Sequence, residues 1–161
     1  MDDSSNRMVI GLISDTHGQL RPSVHSALAG VDLILHAGDV GGDEILLELA
    51  IIAPIKAVYG NTDNTNDPNL EKELVMTAGG LSIHVSHGHE VGTPTAERLL
   101  AKYDHNVVVY GHTHRQLVSR IGHQLLVNPG AAGPQRFKLQ PSLARLTIEN
   151  GSADVEIVPL D

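Results

Sequence analysis

The 161-residue sequence predicts an α/β fold whose last third is mostly β. Three observations carry that reading. Short apolar runs rich in Val and Ile recur through the first two thirds of the chain, the texture of strands buried on both faces. Segments with apolar residues at helical spacing lie between most of them. After residue 115 the helical spacing stops, and paired turn residues separate short strand-like runs.

The elements follow in order. Residues 7–14, RMVIGLIS, are apolar, β-branched and short, as a buried strand should be. Pro22 suits the first turn of a helix and Gly30 its C-terminal stop. Residues 31–36 (VDLILH) form the next strand, and DEILLELA at 43–50 the next helix. Strands are expected at 55–59 (IKAVY), 81–86 (LSIHVS) and 106–110 (NVVVY). LVMTAGGLSIHVS at 74–86 reads as two strands around an Ala-Gly-Gly turn. Thr93 and Pro94 suit the cap and first turn of a helix running to about Tyr103. Gly122-His123 and Asn150-Gly151 mark the turns of two closing hairpins.

Composition narrows the function classes. Hydrophobic residues make up 41% and charged residues 19%, ordinary for a globular protein, so a single domain over 1–161 is expected, with 1–6 as a flexible tail. Aromatics are only 2%, so the core must be Val, Ile, Leu and Ala. The absence of cysteine excludes disulfides and thiolate metal sites and suits a reducing cytoplasm. A net charge of -8 argues against a nucleic-acid polymer as partner. No apolar run approaches a membrane span, and MDDSSNR lacks the basic start and apolar core of a signal peptide. A homo-oligomer is compatible with this composition.

Ten histidines are the unusual count, and their placement matters more than their number. Each buried run ends in residues that can hold a metal: Asp15-Thr16-His17, then Asp39, Asn61, His87 and His112-Thr113-His114. Successive stations lie 22 to 26 residues apart, about one strand, one helix and their loops. In open α/β sheets, sites form outside the carboxyl ends of the strands, so two Asp, one Asn and four His would converge. Taken singly, each has a plainer role as a turn or cap; five coincidences at matched positions are hard to accept. Seven oxygen and nitrogen ligands exceed the needs of one ion and suit two, with one carboxylate shared. Imidazole and carboxylate without thiolate favour Mn, Ni, Fe, Co or Zn. Two ions about 3.5–4 Å apart are the recurring clamp for in-line displacement at phosphorus.

The motifs SDTHG (14–18), HAGD (36–39), YGNTD (59–63), SHGH (86–89), YGHTH (110–114) and VNPGA (127–131) resemble those of the calcineurin-like metallophosphoesterases, and more narrowly the small YfcE-type phosphodiesterases. The resemblance implies a four-layer α/β/β/α sandwich of two packed sheets with the dinuclear site at the strand carboxyl ends. It assigns Asp15, His17, Asp39 and His114 to one metal, and Asp39, Asn61, His87 and His112 to the other, with Asp39 bridging. The expected reaction is hydrolysis of a small phosphodiester by a metal-bridging hydroxide, available at neutral pH because the ions lower the pKa of bound water to roughly 7. Asp39, Asn61, His87 and His17 are the residues expected to carry that chemistry, the two histidines by stabilising charge on the equatorial oxygens. Two divalent ions, Mn²⁺ foremost, are the expected cofactors.

Around this set, His36 reads as a hydrogen-bonded buried residue and His84 as a strand residue. His25, His105 and His123 read as surface residues. His89 and Arg136 are candidates for touching substrate, and Asp63 and Gly88 for orienting ligands. In much of the wider family the third motif reads GNH, and that histidine protonates the leaving group; here Thr62 stands in its place. The rival readings are a phosphomonoesterase or protein phosphatase, and a non-catalytic scaffold such as the retromer-coat member of this fold. A scaffold should show gaps in the ligand series, and this chain shows none. A chain this short has little room for the insertions that build a lid over a macromolecular substrate.

Overall fold

The computed structural model describes residues 7–161, so the tail expected at 1–6 lies outside the described residues. In chain order the elements are β1 (Arg7–Ile13), α1 (Ser23–Ala27), β2 (Leu33–His36), α2 (Asp43–Ile52), β3 (Ile55–Ala57), β4 (Leu74–Ala78), β5 (Leu81–Val85), α3 (Ala96–Lys102), β6 (Val107–Val109), β7 (Leu117–Ile121), β8 (Gln124–Asn128), β9 (Ser142–Glu149) and β10 (Ser152–Pro159). They form two five-stranded sheets, ordered β10-β9-β1-β2-β3 and β4-β5-β6-β8-β7. β1, β2 and β3 run parallel, as do β5, β6 and β8, and antiparallel strands complete each sheet.

Side-chain alternation explains the layers. On β1, Ile10 and Leu12 face the other sheet, and Val9 and Ile13 face the helices. On β6, Val107 and Val109 point inward, while Val108 packs outward with Leu99 of α3, Tyr103 and Leu126. Val24, Leu28, Ile45 and Leu49 cover the other outer face from α1, α2 and their flanks. The order of layers is therefore helix, sheet, sheet, helix, the four-layer α/β/β/α sandwich expected. Both faces of the central strands are buried, which is why they read as unbroken apolar runs. Burying each such side chain contributes roughly 1.5–3 kcal/mol, and Leu12→Ala at a site with no exposure would cost about 2–5 kcal/mol.

Several boundaries differ from the sequence reading. α3 is capped by Thr95, whose hydroxyl accepts from the Arg98 N–H, and not by Thr93; Pro94 lies ahead of the cap. β3 stops at Ala57, and Val58 makes only an isolated bridge to Glu71. His105 is half-buried rather than on the surface, because its ring lies 5.3 Å from that of buried His84 and 26° from parallel to it. Both closing hairpins form at the expected turns, with Asn150 and Gly151 at φ 55° and 75°. Among the described residues, no helix is long and apolar enough to cross a membrane.

Candidate metal centre

The carboxyl ends of β1, β2 and β3 in one sheet and of β5 and β6 in the other open on the same edge of the sandwich. The loops leaving them are tied across the two sheets. The His87 ring donates from Nδ1 to Ala37 O at 2.8 Å, and the His112 N–H donates to Asp15 Oδ2 at 3.2 Å. Asp15, His17, Asp39, His112 and His114 all sit at positive φ, between 47° and 73°. Asp and His tolerate the left-handed region better than most residues, but five together store strain of order 1–3 kcal/mol each. Ladder-like bonds offset it: His17 N–H to Asp39 O, Gly18 N–H to Val40 O and Asp15 N–H to Gly38 O, all at 2.9 Å.

Each aspartate has one oxygen tied by the protein and one left free. Asp15 Oδ2 accepts from Ser14 Oγ at 2.6 Å and from His112 N–H, and Oδ1 is buried with no hydrogen-bond donor. Around Oδ1 stand His114 Nε2 at 3.4 Å and the Nε2 atoms of His17 and His87 at 3.8 Å. Asp39 Oδ1 accepts from Thr62 N–H at 3.0 Å, while Oδ2 faces His87 Nε2 at 3.3 Å and His17 Nε2 at 3.6 Å. His17 and His114 approach each other Nε2 to Nε2 at 3.4 Å. Asn61 Oδ1 lies 3.1 Å from His112 Nδ1, and the His112 ring is 5.2 Å from that of His87.

This arrangement can bind cations. Asp15, His17 and His114 form one group of converging ligand atoms, and Asp15, Asp39 and His87 form a second. His87 has its Nδ1 committed to a carbonyl, which leaves the Nε2 lone pair for an ion, the usual orientation of a metal-binding imidazole. Two imidazole nitrogens facing each other cannot both donate, and a shared cation satisfies both. Buried, orphaned Asp15 Oδ1 and His87 Nε2 point to the same chemistry.

Electrostatics agree. Burial opposes ionisation of Asp15, yet the neighbouring His114 and His87 imidazoles and the Ser14 hydroxyl outweigh it and hold the carboxyl below its ordinary range. Burial likewise works against Asp39, but His87 and the Thr62 contacts hold it well below that range. His87 is raised: burial resists its charge, and Asp39 and Asp15 overcome it. His17 is lowered by burial, against the pull of both aspartates. Both carboxylates are thus charged at neutral pH, as ligands must be.

All seven residues singled out in the sequence come to this edge. His89 joins them, its ring 5.3 Å from that of His87 and 6.2 Å from that of His112. Arg136 is exposed, with its charge felt at His17. Asp63 accepts from the N–H groups of Val40, Gly41 and Gly60 at 2.9–3.1 Å, locking the loop after Asp39 against the loop holding Asn61. His36 is fully buried and hydrogen-bonded, and His25 and His123 are exposed. The sequence reading missed Ser14 and Asn128. Asn128 donates to Gly111 O and Thr113 Oγ1 and accepts from Gly130 N–H, which fixes the turn bearing His112 and His114. The hints were its place at the end of β8 before Pro-Gly and its presence in the VNPGA motif, neither of which gives its partners. Two glycines are needed for close approach: a Cβ on Gly60 would meet Asp39 Oδ1, and one on Gly111 would meet Ser14 Oγ and Asp15 Oδ2.

Comparison with known proteins gives concordant results. A probable metallophosphoesterase of Methanocaldococcus jannaschii is 35% identical over 163 residues, covering 96% of this chain and 82% of its own. A phosphodiesterase of the same organism is 29% identical over 141 residues, covering 76% of this chain and 83% of its own. The solved structure of Vps29 from Entamoeba histolytica complexed with Zn²⁺ superposes with a TM-score of 0.76 at 25% identity, over 96% of this chain and all of that one. Residues 8–151 match the calcineurin-like phosphoesterase superfamily domain, and the chain belongs to that superfamily.

Proposed function

We propose that this chain is a metal-dependent phosphodiesterase of small substrates, acting as one domain over 1–161 with two divalent ions, Mn²⁺ foremost. The observation that carries the reading is the pairing of Asp15 and Asp39. Each has one oxygen tied by the protein and one left among imidazoles. Asp15, His17, Asp39 and His114 would hold one ion, and Asp39, Asn61, His87 and His112 the other. Two ions so held would acidify water and neutralise phosphate charge.

The chain's own groups do the rest. Ser14, Thr62 N–H and Ala37 O fix the directions of Asp15, Asp39 and His87, so little reorganisation is needed as charge develops. His17 and His87 would act on the equatorial phosphate oxygens through the ions they hold, since the Nδ1 of His87 is already committed to Ala37 O. Asp63 holds the Asn61 loop in register. Support for a diester comes from the phosphodiesterase relative and from Thr62, which offers no strong acid to expel a poor leaving group.

The test is hydrolysis of bis(4-nitrophenyl) phosphate against 4-nitrophenyl phosphate, after chelation and after Mn²⁺ is restored. The diester should be cleaved faster, and only with metal. Preference for the monoester would favour a phosphomonoesterase, and no turnover of either by metal-loaded protein would favour the scaffold reading.

A further inference from the structure

Phe137, the chain's one phenylalanine, is 83% exposed. It also stands in the left-handed region at φ 53°, followed by Lys138 at φ 59°. A bulky side chain there is a backbone outlier, and two in succession are more so. Nothing in the core explains the position, because Phe137 belongs to none of the buried clusters. Strain of this kind, held in an exposed loop, is characteristic of ligand contacts.

The loop is built onto the metal centre. At its start, Ala132 N–H donates to Ser14 O at 2.9 Å and Gly133 N–H to Asp15 O at 3.3 Å. Leu139 N–H closes a turn on Arg136 O at 2.9 Å, with Phe137 and Lys138 at its tip. Leu139 and Gln140 face His114, Arg115 and Gln116 across a cleft of about 360 Å³, at the small end of ligand sites. Arg115 on the wall of this cleft and Arg136 and Lys138 on the loop are exposed, and among the described residues none lies within ion-pair distance of a carboxylate. In a chain of net charge -8, that is a local positive field suited to drawing in an anion.

We infer that the loop at 134–140 is the substrate-recognition element of the proposed phosphodiesterase, with Phe137 stacking on the planar base of a nucleotide-type diester and Arg136 and Lys138 meeting its phosphate oxygens. The inference rests on the phosphodiesterase reading of the metal centre. An exposed aromatic flanked by cations matches both parts of such a ligand: every base has a π-face, and its phosphate is anionic.

The test compares two diesters with the same leaving group, thymidine 5′-(4-nitrophenyl phosphate) and ethyl 4-nitrophenyl phosphate, on the metal-loaded full chain. Stacking of this kind predicts kcat/KM higher by about 5- to 150-fold for the thymidine ester. Phe137→Ala should bring the ratio to within about twofold of unity, and Phe137→Tyr should preserve it. Phe137→Gly relieves the left-handed strain, so it should melt no lower than the parent while losing the ratio; a purely structural Phe137 would not behave so. Calorimetric binding of adenosine 5′-monophosphate against ethyl phosphate reads the same preference without turnover. Nucleotide binding that depends on Phe137, with no hydrolysis of either ester, would support base recognition by Phe137 and overturn the phosphodiesterase reading. Equal ratios in parent and Phe137→Ala, in both assays, would overturn the inference.

Discussion

His36 donates from Nε2 to Thr16 Oγ1 at 2.9 Å, and that bond fixes the tautomer of a fully buried imidazole. Its other nitrogen, Nδ1, accepts from Gly38 N–H at 3.1 Å, and Thr16 passes its own proton to Val40 O at 2.7 Å. Every partner is satisfied only when His36 is neutral. A second ring proton would confront the Gly38 N–H.

Acid should therefore destabilise the protein through His36. Burial pushes its pKa down to about 4 from an ordinary 6.5. Below pH 6.5 the unfolded chain takes up the proton first, so stability is full above that pH and falls as pH drops toward 4. The loss should reach about 3 kcal/mol from this group. Urea unfolding at pH 7.5 and pH 4.5 measures it, and His36→Gln should show a shallower acid loss. Equal losses in the two proteins would remove His36 as the cause.

Metal should stabilise as well as activate. At a free ion concentration 100 times Kd the gain is about 2.7 kcal/mol, visible as a rise in Tm. Mn²⁺ or Ni²⁺ should exceed Mg²⁺, because four of the seven candidate ligands are imidazoles and Mg²⁺ prefers oxygen. Absence of bound divalent ion by mass spectrometry, after loading with excess Mn²⁺ and gel filtration, would end the two-metal reading.

Removing a carboxylate's charge should cost more than removing one imidazole. Asp39 Oδ2 faces His87 and His17, and Asp15 Oδ1 faces three histidines. Asp39→Asn and Asp15→Asn should each lower kcat by on the order of 10²–10³ at saturating metal, and His114→Asn by about tenfold. Equal, mild losses would reduce both aspartates to turn residues.

The convergence of the candidate ligands was legible because the central strands are buried on both faces. In β1 from Met8 and in β6 the apolar run is unbroken until the chain reaches the edge, and Asp15 and His112 follow within three residues, whereas β5 carries Ser82 and His84 before His87. Other features leave no such trace. Which oxygen of Asp15 is tied depends on Ser14 and on His112, 97 residues away, and no local pattern records that pairing. The pairing of β9 with β1 is equally non-local. Thr93 and Thr95 both flank Pro94, and only the bond to Arg98 N–H decides between them. His105 read as a surface residue because its burial comes from stacking on His84, across strand order rather than along the chain.

The leaving group should reveal what Thr62 lacks. Thr62 is exposed beside Asp39, its N–H bonded to Asp39 Oδ1, at the position where much of the family carries histidine. A hydroxyl is too weak an acid to protonate a departing alkoxide, and general acid catalysis is worth about 10²–10⁴-fold. Its loss should fall hardest on esters with poor leaving groups, so the rate should depend steeply on leaving-group pKa across a series of diesters. Thr62→His should flatten that dependence where the imidazole reaches the leaving oxygen. His89 is the other group placed to act, since its buried Nδ1 has no hydrogen-bond partner and its ring flanks those of His87 and His112. If His89 supplies the proton, His89→Ala will suppress alkyl esters while sparing aryl ones. A flat dependence in the native protein that steepens in His89→Ala would move the acid from the third motif to the fourth. A flat dependence unchanged by either substitution would mean that chemistry is not the slow step, and the role drawn for Thr62 would fall.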